Sequence, residues 1–128
     1  MINLHITDEI SRLRSVVLGI ANSNGAIPKL EDTYDPKSAE HIKSGTYPKE
    51  IDMVREIESL YQVFKKYDVK VYRPDKIIGY NQIFSRDIAF IIDDKMIVSN
   101  ILPNRDKEIE AIQYLFSQIE KNKIIFLP

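Results

Sequence analysis

An arginine-aspartate pair, Arg86-Asp87, is the feature of this sequence best suited to chemistry. It closes the segment Asp75–Asp87 (DKIIGYNQIFSRD), which also contains an asparagine and a phenylalanine, and it directly precedes an apolar stretch. A carboxylate such as Asp87 accepts two parallel N–H donors from a planar guanidinium, a geometry that no amide or hydroxyl reproduces. The pair is therefore placed like a ligand group for an arginine-like substrate.

The same carboxylate also has a purely structural interpretation. Asp87 would pair with the neighbouring Arg86 or with Lys95, or it would cap a turn, as surface carboxylates commonly do. Both interpretations stay open at the level of the residues.

Other catalytic chemistries find little support in the composition. The 128 residues include no cysteine, so this chain supplies no disulfide, no thiolate metal ligand and no sulfur nucleophile. His5 and His41 are the only imidazoles, and we interpret both as surface or packing residues rather than bases. The adjacent Asp93 and Asp94 lack the spaced oxygen ligands of a calcium site and fit a hairpin turn better. We therefore expect no metal and no cofactor.

The charge balance bears on partners and location. Lys and Arg number 18 against 19 Asp and Glu, with a pI near 6.1, so no global positive field attracts nucleic acid. The N-terminus MINLHITDEI lacks a signal-peptide pattern, and the longest apolar run, Ile88–Ile92, is far below the roughly 20 residues that cross a bilayer. We expect a cytoplasmic protein that partners neither nucleic acid nor membrane.

The elements that would hold Asp87 in place begin with a strand and a long loop. Residues Leu13–Ile20 (LRSVVLGI) predict a buried, central strand, because clustered β-branched and aliphatic side chains suit a pleated surface. Residues Ala21–Tyr47 are rich in Asn, Ser, Gly, Pro, Asp and Lys. A stretch of that length predicts either a functional loop or lid, or an exposed variable insertion.

A long amphipathic helix is the clearest element of the sequence. Pro48 opens it, and Glu50 and Asp52 lie in a first turn where negative charge suits the positive end of the helix dipole. Its apolar side chains recur at steps of four and three residues and form one stripe: Met53, Ile57, Leu60, Phe64 and Tyr67. Asp68 ends the helix, and Val69–Arg73 alternates as a strand.

A second, similar unit follows. Residues Ile88–Ile92 and Met96–Ile101 predict a hairpin with its turn at Asp93-Asp94-Lys95. Asn104 is placed to cap a further helix, whose inward stripe would be Ile109, Ile112, Phe116 and Ile119. Residues Ile124–Leu127 predict a last strand, so the order of helix and strand repeats along the chain.

That last strand predicts a partner. Only Pro128 follows it, whereas strands that close a stable domain usually have neighbours on both sides or a guarded edge. We expect a further domain, a symmetry mate or another chain to pair there, which makes self-association or a complementing domain or chain the expected partnership.

Four segments, in order, resemble the N-terminal part of the amidinotransferase family, within the superfamily of guanidine-modifying enzymes that includes the arginine deiminases. DEISRLRSVVLGI resembles the family's first strand, and YPKEIDMVREIESLYQVFKKYDVKVYRP resembles its first long helix and a strand ending in Arg-Pro, here Arg73-Pro74. NQIFSRDIAFIIDDKMIVSN resembles an Asn-x-x-Phe-x-Arg-Asp segment and the hairpin behind it. NRDKEIEAI resembles the Arg and Glu that open the next helix, here Arg105 and Glu108.

The resemblance covers about Asp8 to Pro128, apart from the loop at Ala21–Tyr47, and it implies a fold. Family members are five-bladed α/β propellers of ββαβ modules around a polar central site. This α/β chain would be a partial pentein-type propeller of about two modules, with mixed sheets and two long amphipathic helices. Residues 1–128 would form a single domain or lobe, with module one at about 8–74, module two at about 81–128 and the loop or lid at 21–47.

The resemblance also implies a chemistry. In the family a Cys attacks the guanidine carbon and forms a covalent amidino intermediate, which passes to an amine or is hydrolysed, while a His moves protons and carboxylates hold the guanidinium. By resemblance, Asp87 would be one of those carboxylates and Arg86 would precede it in the motif. Asn81 and Phe84 would shape the pocket wall, and Arg105 would anchor a helix start or contact the substrate. Arginine or another guanidino compound would be the ligand.

The sequence departs from the family in its catalytic groups. The His-Asp segment and the nucleophilic Cys come from later modules, and neither is found here, so we expect no turnover by this chain alone. The first hypothesis is the N-terminal part of a guanidino-modifying enzyme, performing amidino transfer or hydrolysis with other polypeptide. The second is a non-catalytic module that associates through an exposed sheet edge. The third is an unrelated small α/β domain.

Overall fold

The strands form two sheets in the computed structural model, which describes residues 1–22 and 24–128. A two-stranded parallel sheet joins β1 (Ser15–Val17) to β2 (Lys70–Tyr72). A three-stranded mixed sheet contains β3 (Ala89–Ile92), β4 (Lys95–Val98) and β5 (Ile124–Phe126), in that order. Strand β3 is antiparallel to β4, and β5 is parallel to it. The predicted hairpin, its Asp93-Asp94 turn and the mixed sheet are therefore confirmed.

Helical segments connect the parallel strands. They are α1 (Pro36–Ser44), α2 (Glu50–Lys66), α3 (Lys107–Glu110) and α4 (Gln113–Phe116). Single 3₁₀ turns lie at Leu30–Asp32, Ser85–Asp87, Pro103–Arg105 and Lys121–Lys123. Helices α1 and α2 lie between β1 and β2, and α3 and α4 lie between β4 and β5, because parallel neighbours need a long crossover.

Helix α2 forms where the sequence predicts it. It begins two residues after Pro48 and ends before Asp68, whose backbone adopts a positive φ of 59°. Of the predicted apolar stripe, Ile57 is half-buried, whereas Leu60 and Tyr67 are 41% and 64% exposed. The stripe is therefore covered only in part by the described residues.

Strand β1 is shorter and less central than the predicted strand at Leu13–Ile20. Within the described residues it pairs with β2 only. The carbonyl of Val17 accepts a hydrogen bond from Ser85 Oγ at 3.0 Å, and the N–H of Ile20 donates to the carbonyl of Gln82 at 3.1 Å. Leu18 N–H still donates to the carbonyl of Tyr72 at 2.9 Å, and beyond it the backbone bonds to the segment that precedes β3.

The second predicted long helix, after Asn104, forms as the two short segments α3 and α4. The carbonyl of Ala111 accepts from the N–H of Asp75 at 2.8 Å, and Leu115 N–H donates to Ile112 instead, at 2.9 Å. A tertiary backbone bond thus takes an acceptor that a continuous helix needs. Asn104 does not cap the helix, since it lies in the preceding 3₁₀ turn.

The loop predicted at 21–47 contains helix α1, which the sequence reasoning missed. Asp35 caps this helix, because its Oδ2 accepts a hydrogen bond from Ser38 N–H at 2.7 Å, and Pro36 follows at the first helical position. Gly45 ends it with a φ of 69°. The helix buries none of its residues, so no apolar periodicity marks it. Ser23 of this loop lies outside the described residues.

The main core lies between the three-stranded sheet and α3–α4. Its most buried members, at 1–2% exposure, are Ile88, Val98, Ile112 and Leu115. The N-terminal segment joins this core, since Leu4 is 8% exposed. No described helix combines the length and the apolar character that a bilayer crossing requires.

Candidate functional site

Asp87 is fixed at the start of β3 by contacts on both sides. It lies in a 3₁₀ turn, Ser85–Asp87, and the next residue, Ile88, is 1% exposed in the core. The Ser85 hydroxyl ties the turn to the end of β1 through the carbonyl of Val17. The side chain of Asp87 is 41% exposed. The backbone is thus anchored on both sides, while the carboxylate is partly accessible.

The segment before this turn is anchored by a buried amide. Gln82 is 2% exposed; its Oε1 accepts from Ile77 N–H at 2.7 Å, and its Nε2 donates to the carbonyl of Asp75 at 2.8 Å. Gly19 lies directly beneath, and a Cβ at that position would lie 2.1 Å from the carbonyl oxygen of Ile83. Sequence reasoning missed Gln82, because nothing in its neighbours marks a glutamine as buried.

Asp87 forms a network of ion pairs with Arg105 and Glu108. Arg105 Nε donates to Glu108 Oε1 at 2.7 Å, and Arg105 Nη2 donates to Glu108 Oε2 at 3.0 Å. Arg105 Nη1 donates to Asp87 Oδ2 at 3.0 Å. The hydrogen bonds that Arg105 donates to Glu108, and then the one to Asp87, raise the pKa of Arg105 above its ordinary value although burial lowers it. Arg105 therefore carries a permanent positive charge between two carboxylates.

Neither ion pair that the sequence suggested for Asp87, with Arg86 or with Lys95, supplies its main partner. Arg86 Nε is 3.7 Å from Asp87 Oδ1, and the Arg86 side chain is 88% exposed, so that contact is loose. Lys95 pairs with Asp94 at 3.0 Å. The well-formed partner is Arg105, which lies 18 residues away and which no local pattern links to Asp87.

A cavity of about 490 Å³ adjoins this network. The loop before α2 supplies one wall, including Tyr34 and Asp35, and Asn81 and Arg105 lie on another. Tyr80 also lines the cavity; its hydroxyl donates to Asp106 Oδ1 at 3.4 Å, and burial raises its pKa.

The predicted site residues thus fall into two groups. Asp87 contacts Arg105 and, more loosely, Arg86, and Asn81 and Arg105 line the cavity. Phe84 is 51% exposed and, with Asp87 and Arg86, does not line the cavity as the described residues form it. Throughout residues 1–22 and 24–128, no three His, Asp or Glu side chains come together in a way that could hold a metal ion.

Comparisons with known proteins give a clear result for the fold. No family model and no curated protein matches the sequence. The fold is similar to that of an inosamine-phosphate amidinotransferase from Streptomyces griseus, with a TM-score of 0.69 and 20% identity. It is also similar to an amidinotransferase from Microseira wollei in the saxitoxin biosynthetic pathway, with a TM-score of 0.65 and 18% identity.

The similarity covers nearly all of this chain but less than half of each amidinotransferase. It covers 98% of this chain in both comparisons, but 43% and 42% of the two amidinotransferase chains. The chain therefore has an amidinotransferase-like fold over less than half of their length. With two sheets and no closed barrel in the described residues, this is a partial pentein-type α/β propeller.

Proposed function

We propose that this chain contributes a guanidinium-binding carboxylate, Asp87, to a guanidino-group-modifying enzyme. The observation that carries the proposal is the hydrogen bond from the Arg105 guanidinium to Asp87 Oδ2 at 3.0 Å. Asp87 already accepts an N–H from a guanidinium group, on a fold shared with amidinotransferases. A ligand guanidinium would approach the exposed side of the same carboxylate, where Oδ1 has only the loose contact with Arg86.

The other proposed site residues surround this carboxylate. Asn81 and Phe84 belong to the segment that leads to the turn, and we propose that they form the wall beside the ligand. Arg86 and Arg105 would set the charge at its two sides. In this proposal 8–74 and 81–128 are two modules of the propeller, and the loop at 21–47 is a lid over the cavity.

The bond-breaking step would require groups from other polypeptide. This sequence contains no cysteine, so a covalent amidino intermediate would form on a nucleophile that is not in this chain. Both structural neighbours are named as amidinotransferases, and we propose arginine or another guanidino compound as the ligand class here. We place the protein in the cytoplasm, and we expect the chain alone to catalyse neither amidino transfer nor hydrolysis.

Calorimetric titration of the full chain with arginine tests the role of Asp87. We expect Asp87→Ala to weaken binding at least about tenfold, because one charge-assisted contact is lost. Asp94→Ala is a matched control, since Asp94 is also a half-exposed carboxylate paired with a cation, Lys95, but lies in the hairpin turn. Binding that is unchanged in Asp87→Ala removes Asp87 from the proposal.

A second candidate function is a non-catalytic interaction module, and one surface favours it. Phe90, Ile97 and Ile125 are cross-strand neighbours on one face of the three-stranded sheet. Phe90 and Ile125 are 44% and 41% exposed, and Ile92 beside them is 54% exposed. We call this row of side chains the open sheet face. In this alternative, a second copy of the chain would cover it.

A further inference from the structure

We infer that Glu108 is a positioning residue of the guanidinium site, acting on Asp87 through Arg105. The inference rests on the proposed function of Asp87 and adds to it a second carboxylate, which is buried at the edge of the cavity.

Glu108 is buried and fully paired. Its side chain is 1% exposed, and an ionised carboxylate is costly to bury unless it is paired and hydrogen-bonded. Both of its oxygens accept N–H groups from Arg105, at 2.7 and 3.0 Å. This bidentate pair fixes the plane of the guanidinium as well as its position.

Arg105 also donates a hydrogen bond to Asp87. With Nε and Nη2 held by Glu108, Arg105 presents Nη1 to Asp87 Oδ2 at 3.0 Å. The Asp87 side chain is 41% exposed, while that of Arg105 is only 17% exposed. The more exposed carboxylate is therefore oriented by the more buried cation, and its Oδ1 has only the loose contact with Arg86.

Glu108 also sets the net charge of the network that it forms with Arg105 and Asp87. Two carboxylates and one guanidinium give a net charge of −1. Arg86 changes this little, because its side chain is 88% exposed and 3.7 Å away, where solvent and salt screen it. Without the charge of Glu108, Arg105 and Asp87 would form a neutral pair, and Arg105 would compete with a ligand guanidinium. With the charge of Glu108 beside it, Arg105 orients Asp87 and does not compete with the ligand for it.

Two single variants separate charge from geometry, with methylguanidine as the probe because it carries no carboxylate. Glu108→Gln keeps the shape and removes the charge, and we expect it to weaken binding about tenfold, a typical effect of losing one charged interaction. Glu108→Asp keeps the charge but is one methylene shorter, so it also weakens binding by releasing the bidentate pair. Glu110→Gln is the control, since Glu110 is exposed on the same helix.

Two further measurements distinguish positioning from general support of the fold. The side-chain ¹H–¹⁵N resonance of Arg105 Nε should be sharp in the wild type and broadened or lost in Glu108→Gln. If Glu108→Gln fails to fold, the double variant Arg105→Gln/Glu108→Gln removes both charges together and retains the net charge of −1. Weaker binding by the double variant supports positioning, and wild-type affinity overturns it.

The outcomes are distinguishable. Weaker binding by Glu108→Gln, with Glu110→Gln unchanged, supports the inference. Equal affinity of the wild type and Glu108→Gln overturns the inference and leaves the proposed role of Asp87 intact. A wild-type chain that binds no methylguanidine and no arginine overturns the proposed function, and the inference with it.

Discussion

At the scale of single residues, the structure gives the Asp87 carboxylate a partner that its neighbours in the sequence do not reveal. The sequence offered Arg86 and Lys95 as structural partners, and the well-formed bond is to Arg105. Residue type could predict that Asp87 suits a guanidinium. It could not predict which guanidinium, because that depends on where the 3₁₀ turn Pro103–Arg105 lies relative to the start of β3.

Gly19 provides a test of close packing at the same scale. A Cβ there would lie 2.1 Å from the carbonyl oxygen of Ile83, and backbone cannot move aside cheaply. We predict that Gly19→Ala lowers the free energy of unfolding by about 2 kcal/mol or more, the cost of overpacking against rigid atoms. Urea denaturation followed by circular dichroism measures it.

The control for that test is Gly45→Ala. Gly45 has open space around its Cβ position but a φ of 69°, so its cost is backbone strain alone, about 1 kcal/mol. A loss for Gly19→Ala no larger than that for Gly45→Ala contradicts the packing argument.

At the scale of elements, helix α1 shows how a short polar helix depends on its cap. Hydrogen bonds from Ser38 hold the pKa of Asp35 below its ordinary value of 3.8. A carboxyl whose pKa is lowered by folding stabilises the folded form above that value, and the contribution is lost as the pH falls through the folded pKa. We predict that α1 loosens below about pH 4.

Amide hydrogen exchange at Ser38, followed by NMR between pH 3 and 6, measures this effect after correction for the intrinsic rate. Asp35→Asn is the control, because an asparagine caps a helix without titrating, so its protection should not change with pH. Equal pH dependence in the two proteins would show that the cap does not control α1.

The spacing of apolar residues predicted helix α2 correctly but not the division of the second helix into α3 and α4. Helix α2 formed as predicted because its ends carry local signals, Pro48 before it and Asp68 after it. The second helix was predicted as continuous but divides at Ala111, whose carbonyl bonds to Asp75. That bond joins residues 36 positions apart, so no window of sequence around Ala111 contains it.

At the scale of the whole molecule, the open sheet face predicts self-association. Phe90, Ile92 and Ile125 on the two outer strands are more than 40% exposed on either side of the half-buried Ile97, and proteins usually cover such apolar patches. We predict that light scattering shows a mass that rises with protein concentration, and that Ile125→Lys returns it to that of a monomer.

Ile10→Lys is the matched control for that measurement. Ile10 is the more exposed of the two, at 94%, but it lies outside the sheet, so its replacement should leave the mass unchanged. A wild-type chain that stays monomeric at all concentrations contradicts both the patch argument and the second candidate function.

The sequence by itself determined the α/β class, helix α2, the β3–β4 hairpin and a carboxylate suited to a guanidinium, because each depends on side-chain type and on spacing over a few residues. Its ordered segments also predicted the partial pentein-type fold, which the amidinotransferase structures confirm. Only the tertiary structure decided the short β1, the division into α3 and α4, and the Asp87–Arg105–Glu108 network. Those features depend on bonds between distant segments, whose geometry is fixed only when the core around Ile88 and Ile112 packs.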